Sequence, residues 1–150
     1  MTEIQLIQIH ATCVSQGNAG VLIRGPSGAG KSDLALRLIA SGAKLIADDQ
    51  VTLHVSDGRV VALSSTCLPG LLEVRGVGIL RMPSQNSAPI SLVVDLTRRN
   101  NVTRLPSKLK TRLAGVYIPK IDLWAFEASA VTKVRLALDL ALSRIVPKND

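Results

Sequence analysis

The octapeptide Gly25-Pro26-Ser27-Gly28-Ala29-Gly30-Lys31-Ser32 narrows the possible folds of this chain more than any other feature. It follows the apolar run Val21–Arg24. It also opens a segment, Lys31 to Ala40, in which Leu34, Ala35, Leu38 and Ile39 share one helical face, and Gly42 stands where a C-terminal cap belongs. Strand, glycine-rich loop and helix are the context that the pattern G-x-x-x-x-G-K-[ST] needs in order to hold phosphate. Glycines let backbone N–H groups turn inward around phosphate oxygens, and the positive end of the helix favours the anion. Gly25, Pro26, Ser27, Gly28, Ala29 and Gly30 therefore read as a nucleotide cradle. Lys31 reads as the cation against the transferred phosphate and Ser32 as a magnesium ligand.

Two acids follow at a useful place. Lys44 to Ala47 is a short apolar strand ending in Asp48-Asp49, whose C-terminal end would lie beside the loop in a parallel arrangement. Adjacent strand residues point to opposite faces, so one carboxylate of the pair faces the phosphates. A general base for an incoming hydroxyl and a magnesium-related carboxylate are the two roles open to them. Leu72-Glu73-Val74-Arg75-Gly76-Val77-Gly78-Ile79 sets an acid, a base and two glycines among apolar residues; by composition alone it is an ordered loop. His10 ends a strand and is by itself ambiguous, and His54 receives no role.

The rest of the chain reads as a β-rich sheet with few helices. Ile4 to Ile9 and Val21 to Arg24 are expected as strands joined by the turn Gly17-Asn18-Ala19-Gly20. Val51–Val55 and Arg59–Leu63 flank Ser56-Asp57-Gly58 as a hairpin. Gly70 to Gly78 is expected as a loop, Ile90 to Leu96 as an apolar strand, and Ser107 as the cap of a short helix through Leu113. Val116–Ile118 and Ile121–Phe126 look like strand pieces interrupted by Pro119. Ser129 is expected to cap a closing helix with the stripe Val134, Leu138, Ala141, Leu142 and Ile145, stopped by Pro147.

Composition removes several classes. At 150 residues, 47% hydrophobic and 19% charged, the chain suits one domain over residues 1–150 with an aliphatic core, and neither a disulfide-stapled mini-protein nor a disordered chain. Cys13 and Cys67 fit no metal or redox spacing and read as buried thiols. The N-terminus has no signal-peptide pattern and no apolar run reaches membrane length, so a cytoplasmic protein is expected. The net charge of +7 concentrates between residues 96 and 121, where Arg98, Arg99, Arg104, Lys108, Lys110, Arg112 and Lys120 stand without an acid.

Taken in order and spacing, His10, the loop Gly25–Ser32, Asp48-Asp49 and Leu72–Ile79 resemble the catalytic domain of bacterial HPr kinase/phosphorylase. The resemblance is dense over residues 8–82. It implies an α/β P-loop kinase domain of the phosphoenolpyruvate carboxykinase-like type with a mixed sheet, using ATP and Mg2+ to phosphorylate a serine of an HPr-type phosphocarrier protein. On that resemblance Asp49 takes the proton of the substrate serine, with Asp48 as its understudy. Glu73 is the second magnesium contact, His10 an active-site partner of the acids, and Arg104 a later catalytic arginine. It further implies a homo-oligomer, a hexamer in the family, and a short form without the usual N-terminal domain. Where the family carries Pro-Val-Arg-Pro-Gly-Arg-Asn, linked to dephosphorylation, this chain has Asp122-Leu123-Trp124-Ala125-Phe126-Glu127-Ala128. Kinase activity is therefore the expectation, and the departure leaves open whether the reverse phosphorylase activity is retained.

Two rival readings remain. A small-molecule kinase would use Arg98, Arg99 and Arg104 as a lid but leaves Leu72–Ile79 without a purpose. A nucleotide-gated or nucleic-acid-binding module would use the basic segment, against which the scarcity of aromatics weighs. No Asn-Lys-x-Asp motif is present to support a GTPase.

Overall fold

The computed structural model describes residues 5–64 and 70–148; Ile4 and Cys67, both used above, lie outside them. In chain order the elements are β1 (Ile7–His10), β2 (Thr12–Gln16), β3 (Ala19–Arg24) and helix α1 (Lys31–Ala40). Next come β4 (Lys44–Ala47), β5 (Gln50–Ser56), β6 (Arg59–Leu63), β7 (Leu71–Val74), β8 (Gly78–Arg81) and β9 (Ser87–Leu96). A 3-10 turn at Arg99–Asn101 leads to β10 (Leu109–Leu113), β11 (Val116–Leu123) and the closing helix α2 (Ala130–Ala141).

Among the described residues, nine strands form one mixed sheet and β7 pairs with β8 apart from it. This is the α/β, helix-poor architecture expected above. Strand β9 is its axis: β3 runs parallel along one side, β6 pairs antiparallel with its start, and β11 runs parallel beside its end. Because β2 is antiparallel to both β3 and β4, β4 points the same way as β3. The C-terminal ends of β3, β4, β9 and β11 thus share one edge, where the loops 25–30, 48–49, 97–101 and 124–127 gather. Ligands of open α/β sheets bind outside that edge.

Period-2 alternation divides the core into two layers. Val21 and Ile23 of β3, with Leu92 and Val94 of β9, pack against Leu34 and Leu38 of α1 and Val134 and Leu138 of α2. Leu22 and Val93 point the other way, onto Leu53, Ala62, Leu113 and Ile118. A strand buried on both faces needs a continuous apolar run, which is why Val21–Ile23 reads as it does. Cys13 lies in the second layer, fully buried and unpaired, and burial pushes its thiol far above the ordinary value.

Several expected elements change. The Gly17 turn joins β3 to β2, not to the first strand; β2 mixes Thr, Ser and Gln with Cys and Val, yet its central position buries Thr12 through Ser15. The expected loop at 70–78 is the hairpin β7–β8, whose turn uses Gly76 and Gly78 at positive φ and whose Leu72 is buried in the helix-side layer. The short helix expected from Ser107 is instead strand β10. Ala114 and Gly115, at φ 48 and 82, make the two-residue turn that pairs Leu113 with Val116. Strand β11 runs through Pro119 unbroken, because its ladder with β9 begins only at Lys120 and loses no bond to the proline. Helix α2 ends at Ala141, well before Pro147, as Ser143 turns to a φ of 58 and leaves Ile145 exposed. Ser129 occupies the N-cap position without a side-chain capping bond.

Candidate active site

Between β3 and α1 the chain turns through Gly25–Gly30. Gly28 and Gly30 adopt φ of 84 and 99, a region glycine enters without steric cost. At Gly30 a Cβ would also stand 3.0 Å from Ala125 Cβ and from the Phe126 ring, so the loop's last turn fits closely under the segment after β11. Lys31, the first helical residue, is 7% exposed. Its Nζ donates to the carbonyl oxygens of Gly25 at 2.7 Å and Pro26 at 3.1 Å. Among the described residues no carboxylate pairs with it. A buried ammonium held by carbonyl dipoles alone lacks a counter-charge.

At the second helical residue, Ser32 Oγ donates to Asp48 Oδ1 at 2.8 Å. Thr12 Oγ1 donates to the same oxygen at 2.8 Å, so Asp48 is pinned between β2 and α1. Asp49 is exposed, sits at a φ of 66, and its carbonyl accepts from the Ala11 N–H at 3.2 Å. The two carboxylates diverge, but not by strand alternation: β4 ends at Ala47, and the left-handed turn at Asp49 leaves Asp48 toward the loop and Asp49 toward solvent. His10 is exposed opposite Gln50 in the β1–β5 register, at the same strand end as Asp49. Glu73 and Arg104 are not gathered in. Glu73 is exposed on β7, on the side away from buried Leu72, and Arg104 is exposed between the 3-10 turn and β10; neither side chain bonds another described residue.

Ser32 hydroxyl and Asp48 carboxylate are hard oxygen donors of the kind magnesium takes. Among the described residues no three His, Cys, Asp or Glu side chains converge. A two-donor protein site suits a cation that fills its shell from water and substrate phosphate.

Sequence reasoning missed three groups near this edge. Thr12 is one, a fully buried hydroxyl whose partner is distant in sequence. The second is a charged network beneath the loop. Arg24 donates to both Asp95 oxygens at 2.7 and 2.9 Å and to Thr111, while Lys120 reaches Asp95 at 3.1 Å and Asp122 at 2.9 Å. Burial works against the Asp95 carboxylate, yet hydrogen bonds from Arg24 and Lys120 outweigh it and hold its pKa below the ordinary range. The Asp95 hydrogen bond correspondingly raises Arg24, and the Asp122 hydrogen bond raises Lys120. The third is aromatic: Trp124 and Phe126 pack edge to face, 6.3 Å between centroids, with the Arg99 guanidinium 5.5 Å over Trp124. Of the basic segment expected from the sequence, Lys120 is thus neutralised by carboxylates, while Arg99 lies over an indole and stays exposed.

A glycine-rich loop between a central parallel strand and a helix, with lysine, serine and carboxylate at its mouth, defines an α/β domain of the P-loop kinase-like type. The family described as HPr Serine kinase C-terminal domain matches residues 4–136, and the chain belongs to that family. HPr kinase/phosphorylase of Limosilactobacillus reuteri is 36% identical over 126 residues, 76% of this chain and 39% of that protein. The Mycoplasmopsis pulmonis protein of the same name is 31% identical over 152 residues, 93% of this chain and 49% of the relative. The chain thus spans about half or less of the length of these relatives. The solved structure titled Hpr(Ser) kinase/phosphatase from Coxiella burnetii has the same fold, with a TM-score of 0.80 at 22% identity, covering 92% of this chain and 97% of that one. No helix among the described residues is long and apolar enough to cross a membrane.

Proposed function

We propose that the chain is an ATP- and magnesium-dependent kinase that phosphorylates a serine of an HPr-type phosphocarrier protein. Buried Lys31 without a counter-charge, one residue from the Ser32–Asp48 pair, carries the reading: a phosphate chain in the loop supplies the missing negative charge. Family membership and the names of the relatives favour HPr as the acceptor.

In this scheme Lys31 Nζ leaves the loop carbonyls for the transferred phosphoryl oxygens, where charge builds in the transition state. Ser32 and Asp48 would hold magnesium, which when bound neutralises phosphate charge. Asp48 stays hydrogen-bonded to Ser32 and Thr12 and is committed to orientation. Asp49, exposed at the same strand end, is the base: it accepts the proton as the serine oxygen attacks phosphorus, the bond to the departing nucleotide breaks, and ADP leaves. His10 lies beside it to orient the acid. Glu73 and Arg104 would join only when nucleotide and partner draw their segments in. The reading concerns the forward reaction.

Incubated with ATP, Mg2+ and a purified HPr-type protein, the chain should add one phosphate to a serine of the partner, read by mass spectrometry. Asp49→Asn should lower transfer by at least about a hundredfold, the scale of a general base, while ATP affinity stays within about twofold. Turnover of a small metabolite with no labelling of the carrier would sink this reading in favour of a small-molecule kinase.

A further inference from the structure

We infer that Phe126, with Trp124 and Arg99 behind it, forms a shelf for the aromatic base of the nucleotide. The inference rests on the nucleotide reading above and adds where the base lies. Strands β3, β9 and β11 are parallel neighbours, so the phosphate-type loop after β3, the arginine-bearing turn after β9 and residues 124–127 after β11 open on one edge. A nucleotide with its phosphates over Gly25–Ser32 has its base within reach of these flanking segments.

The shelf is built and held in place. Phe126 is 55% exposed, yet its ring edge approaches the Cβ position of Gly30 to 3.0 Å, directly beside the loop. Ala125 is fully buried, and its carbonyl accepts a hydrogen bond from Arg37 of α1; Glu127 pairs with Lys133 at 2.7 Å. Trp124 braces Phe126 edge to face and carries the Arg99 guanidinium at its own face. The chain has one Trp, one Tyr and one Phe, and two of these three stand at the rim of this loop. An exposed ring with an anchored backbone and a neighbouring cation is the equipment for stacking a base, and such stacking tolerates any base because each has a π face.

The only tryptophan gives a direct readout. In calorimetric titrations ATP should bind about tenfold more tightly than inorganic tripolyphosphate, and ATP but not tripolyphosphate should change Trp124 emission. Phe126→Ala should remove that tenfold margin without altering tripolyphosphate binding, and Phe126→Tyr should restore it. An unchanged ATP-to-tripolyphosphate ratio in Phe126→Ala overturns the shelf while leaving the loop reading intact. Failure of both ligands to bind the unaltered chain overturns the nucleotide reading and the shelf with it.

Discussion

At the scale of single residues, the site depends on which carboxylate is held and which is left accessible. Asp48 Oδ1 accepts two hydroxyl hydrogen bonds, from Ser32 and from Thr12. The motif exposed Lys31, Ser32 and the acid pair to sequence reading, since their spacing is local. Thr12 carried no such signal: it lies 36 residues from its partner, and only the β2–β4 pairing brings it there. Thr12→Val keeps the shape of the buried side chain and deletes one hydrogen bond to a charged group. It should cost about 1.5 kcal/mol, seen as a lower urea midpoint at unchanged slope, and slow phosphotransfer as Asp48 loosens. Thr12→Ser should recover both. Full stability in Thr12→Val would mean that the hydroxyl does not hold the acid.

Elements were legible where apolar periodicity was strong and local. Helix α1 begins and ends as expected because its buried face, its glycine cap and the preceding loop agree. Strand β10 was not, since Lys108, Lys110 and Arg112 suggest solvated positions in helix or strand alike, and the deciding signal is a two-residue turn centred on Ala114, an unusual residue at positive φ. Hairpin β7–β8 was hidden by its glycines for the same reason. The charged network beneath the loop also belongs to this scale, because it ties together strands rather than residues close in sequence. Arg24 and Asp95 are register partners across β3 and β9, and Asp95 and Asp122 across β9 and β11. With the folded pKa of Asp95 lowered from its ordinary 3.8, its contribution to stability is present above that value and is lost as pH falls below it. Asp95→Asn should therefore be less stable by roughly 2 kcal/mol at pH 7, with the gap narrowing as pH falls below 3.8 and closing only below the lowered folded pKa. A gap that does not narrow at all between pH 7 and the acid limit of folding would indicate packing rather than charge as its origin.

For the whole molecule, the +7 charge acquires a direction once the strands are in place. Lys120 and Arg99 are committed to Asp95 and Asp122 and to Trp124, and Arg112 lies 5.9 Å over Tyr117 while remaining exposed. Lys108, Lys110 and Arg112 alternate with Leu109, Thr111 and Leu113, so strand geometry puts the basic side chains on one face, not around a helix as the sequence suggested. The register of β10 with β11 sets Leu109 opposite Lys120 and Leu113 opposite Val116, which turns the Lys108 end of the stripe toward the edge where the glycine-rich loop opens. A basic stripe ending at the site would steer an acidic protein face and its serine toward Asp49, and on an edge strand it also discourages pairing with other chains. Replacing Lys108, Lys110 and Arg112 together with glutamine should weaken association with an HPr-type protein by about tenfold at low salt, chiefly through the on-rate, and leave ATP affinity unchanged. The difference should shrink at about 0.5 M salt, where exposed charges are screened beyond a few ångströms. Equal losses for protein and nucleotide would assign the stripe to the nucleotide and leave the docking face elsewhere on the sheet.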